Sequence, residues 1–219
     1  MIIGITNLKG GVGKSTITQN LAVCFAHMGY KVAIVDTDTN QNSLSWYGAR
    51  AENLPNLTVI GLTESDALSK SVENLHRDFE IILIDGTPNL STMTTRIILT
   101  SAILLIPVRP GAQDFRAIQE FVNRFEEAKA YKEYIPAYFL MNEFSAQKKV
   151  HEGLLSKIET SFDIPVMETK INSRVAYTEA SIAGKGVLEY IDPKAKEEMI
   201  GLTKEVLDLA GENELLEVA

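Results

Sequence analysis

A single cysteine, Cys24, stands in a chain of 219 residues. It cannot close an intrachain disulfide, and alone it cannot build a zinc cluster or bridge an iron–sulfur centre. A reducing compartment fits that usage. Long apolar runs are missing too. The longest, Ile81 to Ile84 and Ala102 to Val108, have the length of buried strands and fall far short of the roughly 20 residues that cross a bilayer. Bases are outnumbered, 21 Lys and Arg against 29 Asp and Glu. The net charge of −8 is not that of a constitutive nucleic-acid binder, although local basic patches remain open. The three histidines, His27, His76 and His151, show no metal-ligand spacing. No serine nucleophile elbow is present. Met1 to Thr6 carries no basic leader, so no signal peptide is expected and the cytoplasm is the expected location. Neither a Ser/Gly/Pro-rich linker nor an internal repeat divides the chain, and one domain over residues 1–219 is expected.

What is present is an alternation of short β-branched runs with longer segments of helical period, the pattern of repeated βαβ units. Strands are expected at Ile2 to Thr6, Lys31 to Val35, Leu57 to Ile60, Ile81 to Ile84, Ala102 to Pro107 and Ala137 to Met141. Several are apolar on both faces, as in a parallel sheet covered by helices on both sides. Helices are expected at Ser15 to Met28, Glu64 to Arg77, Ser91 to Thr100, Gln113 to Tyr131 and Gln147 to Thr160. A last one runs from Pro193 to Ala210, with proline at its start and Gly211 at its stop. The expected fold is α/β, a mostly parallel twisted sheet flanked by helices. Right-handed crossovers then bring the loops that follow the strands to one edge, where such folds bind ligands.

The first of those loops reads Leu8-Lys9-Gly10-Gly11-Val12-Gly13-Lys14-Ser15-Thr16 and opens a helix. Glycines without Cβ let successive backbone N–H groups turn toward phosphate oxygens, and the helix start adds its positive end. In a P-loop, Lys14 would neutralise β and γ oxygens and the Ser15 hydroxyl would hold Mg²⁺. The second strand ends in Asp36-Thr37-Asp38, and the fourth, Ile81-Ile82-Leu83-Ile84-Asp85, has the form of a Walker B strand. Aspartates after strands also serve as turn formers and helix caps.

Position 8, where a strict P-loop has glycine, is Leu8, and the loop instead carries a second lysine, Lys9. This KGGxGK[ST] form resembles the deviant Walker A ATPases of the ParA/MinD superfamily. Together with Ile106-Pro107-Val108-Arg109-Pro110, Asp114-Phe115 and Gly186 to Tyr190, the resemblance extends over nearly the whole chain and is nearest the small ParF-like partition ATPases. It implies a P-loop fold binding ATP and Mg²⁺ through Gly10, Gly11, Val12, Gly13, Lys14, Ser15 and Thr16. Lys9 is then expected to reach the nucleotide of a partner subunit, Asp38 to orient the attacking water, and Ser15, Asp36, Asp38 and Asp85 to form the metal's surroundings. Where the family carries Asp-x-Asp-Pro-Gln, Asp36-Thr37-Asp38 keeps the two aspartates and Thr39-Asn40-Gln41 replaces the prolyl-glutamine, a departure that touches loop geometry. Asn142, after the sixth strand, stands where the family often reads adenine with an amide; asparagine there is equally a turn former.

For partners the resemblance implies an ATP-dependent homodimer, nonspecific DNA bound through bases such as Lys148, Lys149, Lys170, Arg174 and Lys185, and a small centromere-binding ParB-like protein. The location implied is cytoplasmic and nucleoid-associated. Two alternatives belong to the same superfamily: a MinD-like membrane ATPase, or an ATPase positioning a protein cargo. Against the membrane stand seven acids and three lysines from Lys194 to Ala219, where an amphipathic anchor would be basic.

Overall fold

The structure, a computed structural model, describes residues 1–88, 92–111, 114–132 and 134–211. All six expected strands are found: β1 (Ile2–Ile5), β2 (Val32–Asp36), β3 (Thr58–Gly61), β4 (Ile81–Asp85), β5 (Ile103–Val108) and β6 (Ala137–Met141). They form one sheet in the order β3-β2-β4-β1-β5-β6. Every pairing is parallel.

The helices are α1 (Lys14–His27), α2 (Asn42–Gly48), α3 (Leu68–Leu75), α4 (Thr92–Thr100), α5 (Asp114–Lys129), α6 (Lys149–Ser161), α7 (Val175–Ile182) and α8 (Pro193–Leu209). Two of them, α2 and α7, are absent from the sequence expectation. The helix expected from Glu64 is shorter than its apolar pattern: a 3-10 turn at Ser65–Ala67 precedes α3. The expected starts at Ser91 and Gln113 lie outside the described residues.

Period-two alternation splits the strand side chains between two cores. Ile3, Ile5, Ile34, Leu83 and Leu105 pack with α1, α7 and α8. On the other face Val35, Ile82, Ile84, Leu104 and Ile106 pack with α3, α4, α5 and α6. Burial on both faces explains why the strands read as continuous apolar runs. The register sets Ile5 beside Asp85 and Asp85 beside Asp36, so the carboxyl ends of β1, β4 and β2 meet at one edge. Among the described residues no helix is long and apolar enough to cross a membrane.

Candidate nucleotide site

The loop after β1 is held open by its own backbone. Gly11 and Gly13 lie at φ 73° and 95°, in the left-handed region that side chains avoid. Gly13 is doubly constrained, because a Cβ there would fall 2.1 Å from Asn142 Nδ2. Helix α1 begins at Lys14 without a side-chain cap and without an acid in its first turn, leaving its positive end to an anion. Asn7 braces the loop from below, donating from Nδ2 to the Pro107 carbonyl at 2.8 Å and accepting from the Lys9 N–H at 3.2 Å. Asn142 braces it from the end of β6, donating to the Val12 carbonyl at 2.8 Å.

Lys14 is only 6% exposed, and its Nζ donates to the Lys9 carbonyl at 2.8 Å, bridging the two ends of the loop. Burial pulls its pKa down to about 8, against the opposing pull of Asp85 and Asp38. An ammonium so poorly hydrated gains by meeting a polyanion.

The acidic groups divide the work. Asp36 is fully buried and accepts three backbone amides: Asp38 at 3.1 Å, Ser43 at 2.8 Å and Leu44 at 3.1 Å. It therefore caps α2 from outside that helix. Burial raises its pKa, while those amides favour the charged form. Asp38, at 8% exposure, is fixed through Oδ1 by the Asn40 N–H at 2.9 Å and the Asn40 amide at 3.0 Å. The replaced Pro-Gln positions thus supply a clamp of their own. Gln41 takes a left-handed turn, φ 49°, into α2.

Asp85 is fully buried. Its Oδ2 accepts from the Ser43 hydroxyl at 2.7 Å, and its Oδ1 has no hydrogen-bond partner among the described residues. Burial pushes its pKa up to about 7; the Ser43 hydrogen bond opposes this, Asp36 adds to it, and Ser15 and Lys14 oppose it. A buried carboxylate oxygen without a partner suits a hard divalent cation. Among the described residues no three His, Cys, Asp or Glu side chains form a metal cage by themselves.

Lys14 and Asp38 face a cavity of about 710 Å³, whereas the fully buried Asp36 and Asp85 are not among the residues that line it. Gly10, Gly11, Gly13, Lys14, Ser15 and Thr16 line it, with Asp38 and Asn142. Val12 is buried behind the loop. The unforeseen α7 provides the opposite wall through Tyr177, Thr178 and Ser181. Ahead of it, Arg174 also lines the cavity, and its guanidinium donates to Glu198 of α8, which accepts from Tyr177 and Asn172 as well. Of the candidate DNA contacts, Arg174 is thus held in an ion pair with Glu198, and Lys170 donates to the Met167 and Glu168 carbonyls. Lys148 and Lys149 are exposed at the start of α6, and Lys185 is half-buried.

A strand, a glycine loop opening a helix, and aspartates closing the two strands on one side of it define a P-loop nucleotide-binding domain. Residues 3–187 match CbiA, the CobQ/CobB/MinD/ParA nucleotide binding domain, and the chain belongs to that family. Similar curated proteins include the sporulation initiation inhibitor protein Soj of Bacillus subtilis, 26% identical, covering 94% of this chain and 97% of Soj. The maintenance of carboxysome distribution protein A of Halothiobacillus neapolitanus is 23% identical, covering 85% and 86%. A putative plasmid partition protein of Borrelia burgdorferi B31, solved with AMPPNP, shares the fold with a TM-score of 0.74 at 17% identity, covering 95% of this chain and 98% of that one.

Proposed function

We propose that the chain is a Mg²⁺-ATP-dependent partition ATPase whose nucleotide state controls dimerisation and DNA binding. The observation that carries this is the convergence of Lys14, Ser15, Asp38 and Asp85 on one glycine loop that begins with a second lysine, Lys9. Lys14 and the α1 N-terminus hold the phosphates. Asn142, already seated against the loop, is adjacent to the space for the base. Bound Mg²⁺ would neutralise β and γ oxygens, with Ser15 and Asp85 as its protein groups and Asp36 holding the surrounding backbone. Asp38, clamped by Asn40, orients the attacking water. Lys9 serves the nucleotide of a second copy, giving a sandwich dimer, and intrinsic turnover is slow until a centromere-binding partner completes the site.

In this reading the dimer gathers the bases Lys148, Lys149 and Lys185 onto one face for nonspecific DNA in the nucleoid. The match to the chromosome-partitioning ATPase Soj of Thermus thermophilus, 28% identical and covering 58% of this chain, supports DNA segregation, and the match to the carboxysome-distribution protein supports a cargo-positioning relative. ATP turnover measured alone, with DNA, and with the product of the neighbouring gene separates them. Stimulation by DNA plus a small basic DNA-binding neighbour is the expected result. Turnover indifferent to both, or ATP-dependent sedimentation with anionic liposomes, would overturn the partition reading.

A further inference from the structure

The two innermost carboxylates of the site are tied together by one residue that no motif marks. Ser43, fully buried in the first turn of α2, gives its backbone N–H to Asp36 Oδ2 at 2.8 Å and its hydroxyl to Asp85 Oδ2 at 2.7 Å. Its hydroxyl oxygen accepts from Gln19 Nε2 of α1 at 3.3 Å. Gln19 Oε1 in turn accepts from the Ser181 hydroxyl of α7 at 3.4 Å.

The direction of this chain follows from what each group can do. An amide nitrogen only donates and an ionised carboxylate only accepts, while a hydroxyl has one hydrogen to give. With Gln19 donating into the Ser43 oxygen, the single Ser43 hydrogen goes to Asp85. That bond fixes one oxygen of the carboxylate and leaves the other, Oδ1, buried and without a hydrogen-bond partner among the described residues. A buried acceptor with nothing to accept from is costly unless the site is built to receive something.

We propose that Ser43 is a positioning residue for the divalent cation of the nucleotide complex. By holding Asp85 Oδ2 it reserves Oδ1 for the metal or a metal-bound water. Its backbone bond to Asp36 ties that orientation to the start of α2, and the bridge through Gln19 ties it to the α7 wall of the cavity. The inference rests on the ATPase reading above and adds to it a residue that acts through Asp85 and Asp36.

The test uses the full chain with ADP or AMPPNP, and Mn²⁺ as an electron-spin-resonance probe of the metal site. Ser43→Ala should keep its nucleotide affinity in EDTA within about twofold of wild type and lose Mn²⁺ affinity in the nucleotide complex by roughly tenfold or more, the usual consequence of removing a partner of a metal ligand. Ser43→Cys, close in volume but a weak donor, should fall between the two, and it decides the question if the alanine variant does not fold. Mn²⁺ affinities equal to wild type in a variant that binds nucleotide would overturn the proposal while leaving the ATPase reading intact. Failure of the wild-type chain to bind nucleotide at all would overturn both.

Discussion

Removing Glu189 should cost far more than its place in a single 3-10 turn, Val187–Glu189, suggests. Its carboxylate receives Arg50 Nη1 at 2.8 Å and Nη2 at 2.6 Å, the Gly186 N–H at 3.1 Å, and lies 2.9 Å from His27 Nε2. The Arg50 and Glu189 side chains are 4% and 2% exposed. Arg50 follows α2, so this pair fastens the far end of that helix to the segment before α8. In a Glu189→Ala variant the guanidinium keeps the Gly184 and Pro55 carbonyls and its place 5.6 Å from the centre of the Trp46 ring, but becomes a buried charge without a carboxylate partner. The expected loss is about 3–5 kcal/mol, against about 0–1 kcal/mol for an exposed pair. That is a large part of a typical stability of about 5–15 kcal/mol.

Urea unfolding checks this through the single tryptophan, Trp46, which lies on α2 and donates to the Lys185 carbonyl at 3.2 Å. The midpoint should fall with little change in slope. An Arg50→Met/Glu189→Leu double variant should recover most of the loss. A loss under about 1 kcal/mol in Glu189→Ala would refute the reasoning. The pH dependence has a fixed sign. Burial acts to raise the Glu189 carboxyl, but hydrogen bonds from Arg50 and His27 outweigh it and hold the group below its ordinary 4.5. The native state therefore binds this proton less readily than the unfolded chain, so the contribution is whole above that ordinary value and is lost as pH falls through the depressed one. The stability gap between wild type and Glu189→Gln should narrow on acidification; a constant gap contradicts the assignment.

Gly13→Ala should fold yet bind nucleotide at least tenfold more weakly by calorimetry, because φ 95° and the 2.1 Å approach to Asn142 both forbid a methyl group there. An unchanged affinity would show that the loop rebuilds. Gly184→Ala should lose about 2 kcal/mol or more in urea unfolding, since its φ is 64° and its Cβ would meet backbone atoms of Ala49 and Arg50 at 2.4 and 2.5 Å. A Lys148→Ala/Lys149→Ala variant should keep wild-type stability, both positions being exposed, and bind DNA more weakly. Because each copy of the dimer loses two lysines, its plot of log affinity against log salt should be shallower by about four units, and an identical slope would remove these lysines from the interface.

The strands were legible because their chemistry is local: side chains buried on both faces demand unbroken apolar runs. The phosphate loop was legible because its glycines and lysines are contiguous in sequence. Helices α2 and α7 were not. α2 is seven residues long, starts from a left-handed Gln41, and takes its cap from Asp36, six residues before its first residue. α7 has eight residues and no side-chain cap, although Gly184 just beyond it was an available stop signal. The same locality separates the site residues. Arg174 reads as a surface base until α8 brings Glu198 against it. Ser43 and Glu189 draw their meaning from partners 42 and 139 residues away, Asp85 and Arg50, which no short motif records.

The central claim is that two lysines serve one triphosphate, Lys14 from its own chain and Lys9 from a second copy. Sedimentation velocity of wild type and Lys9→Ala, each with Mg²⁺ and either ADP or a nonhydrolysable ATP analogue, tests it most directly. The account requires wild type to be monomeric with ADP and dimeric with the analogue, and Lys9→Ala to bind the analogue but stay monomeric. A wild-type chain that stays monomeric with the analogue, or a Lys9→Ala variant that pairs as readily as wild type, would contradict it.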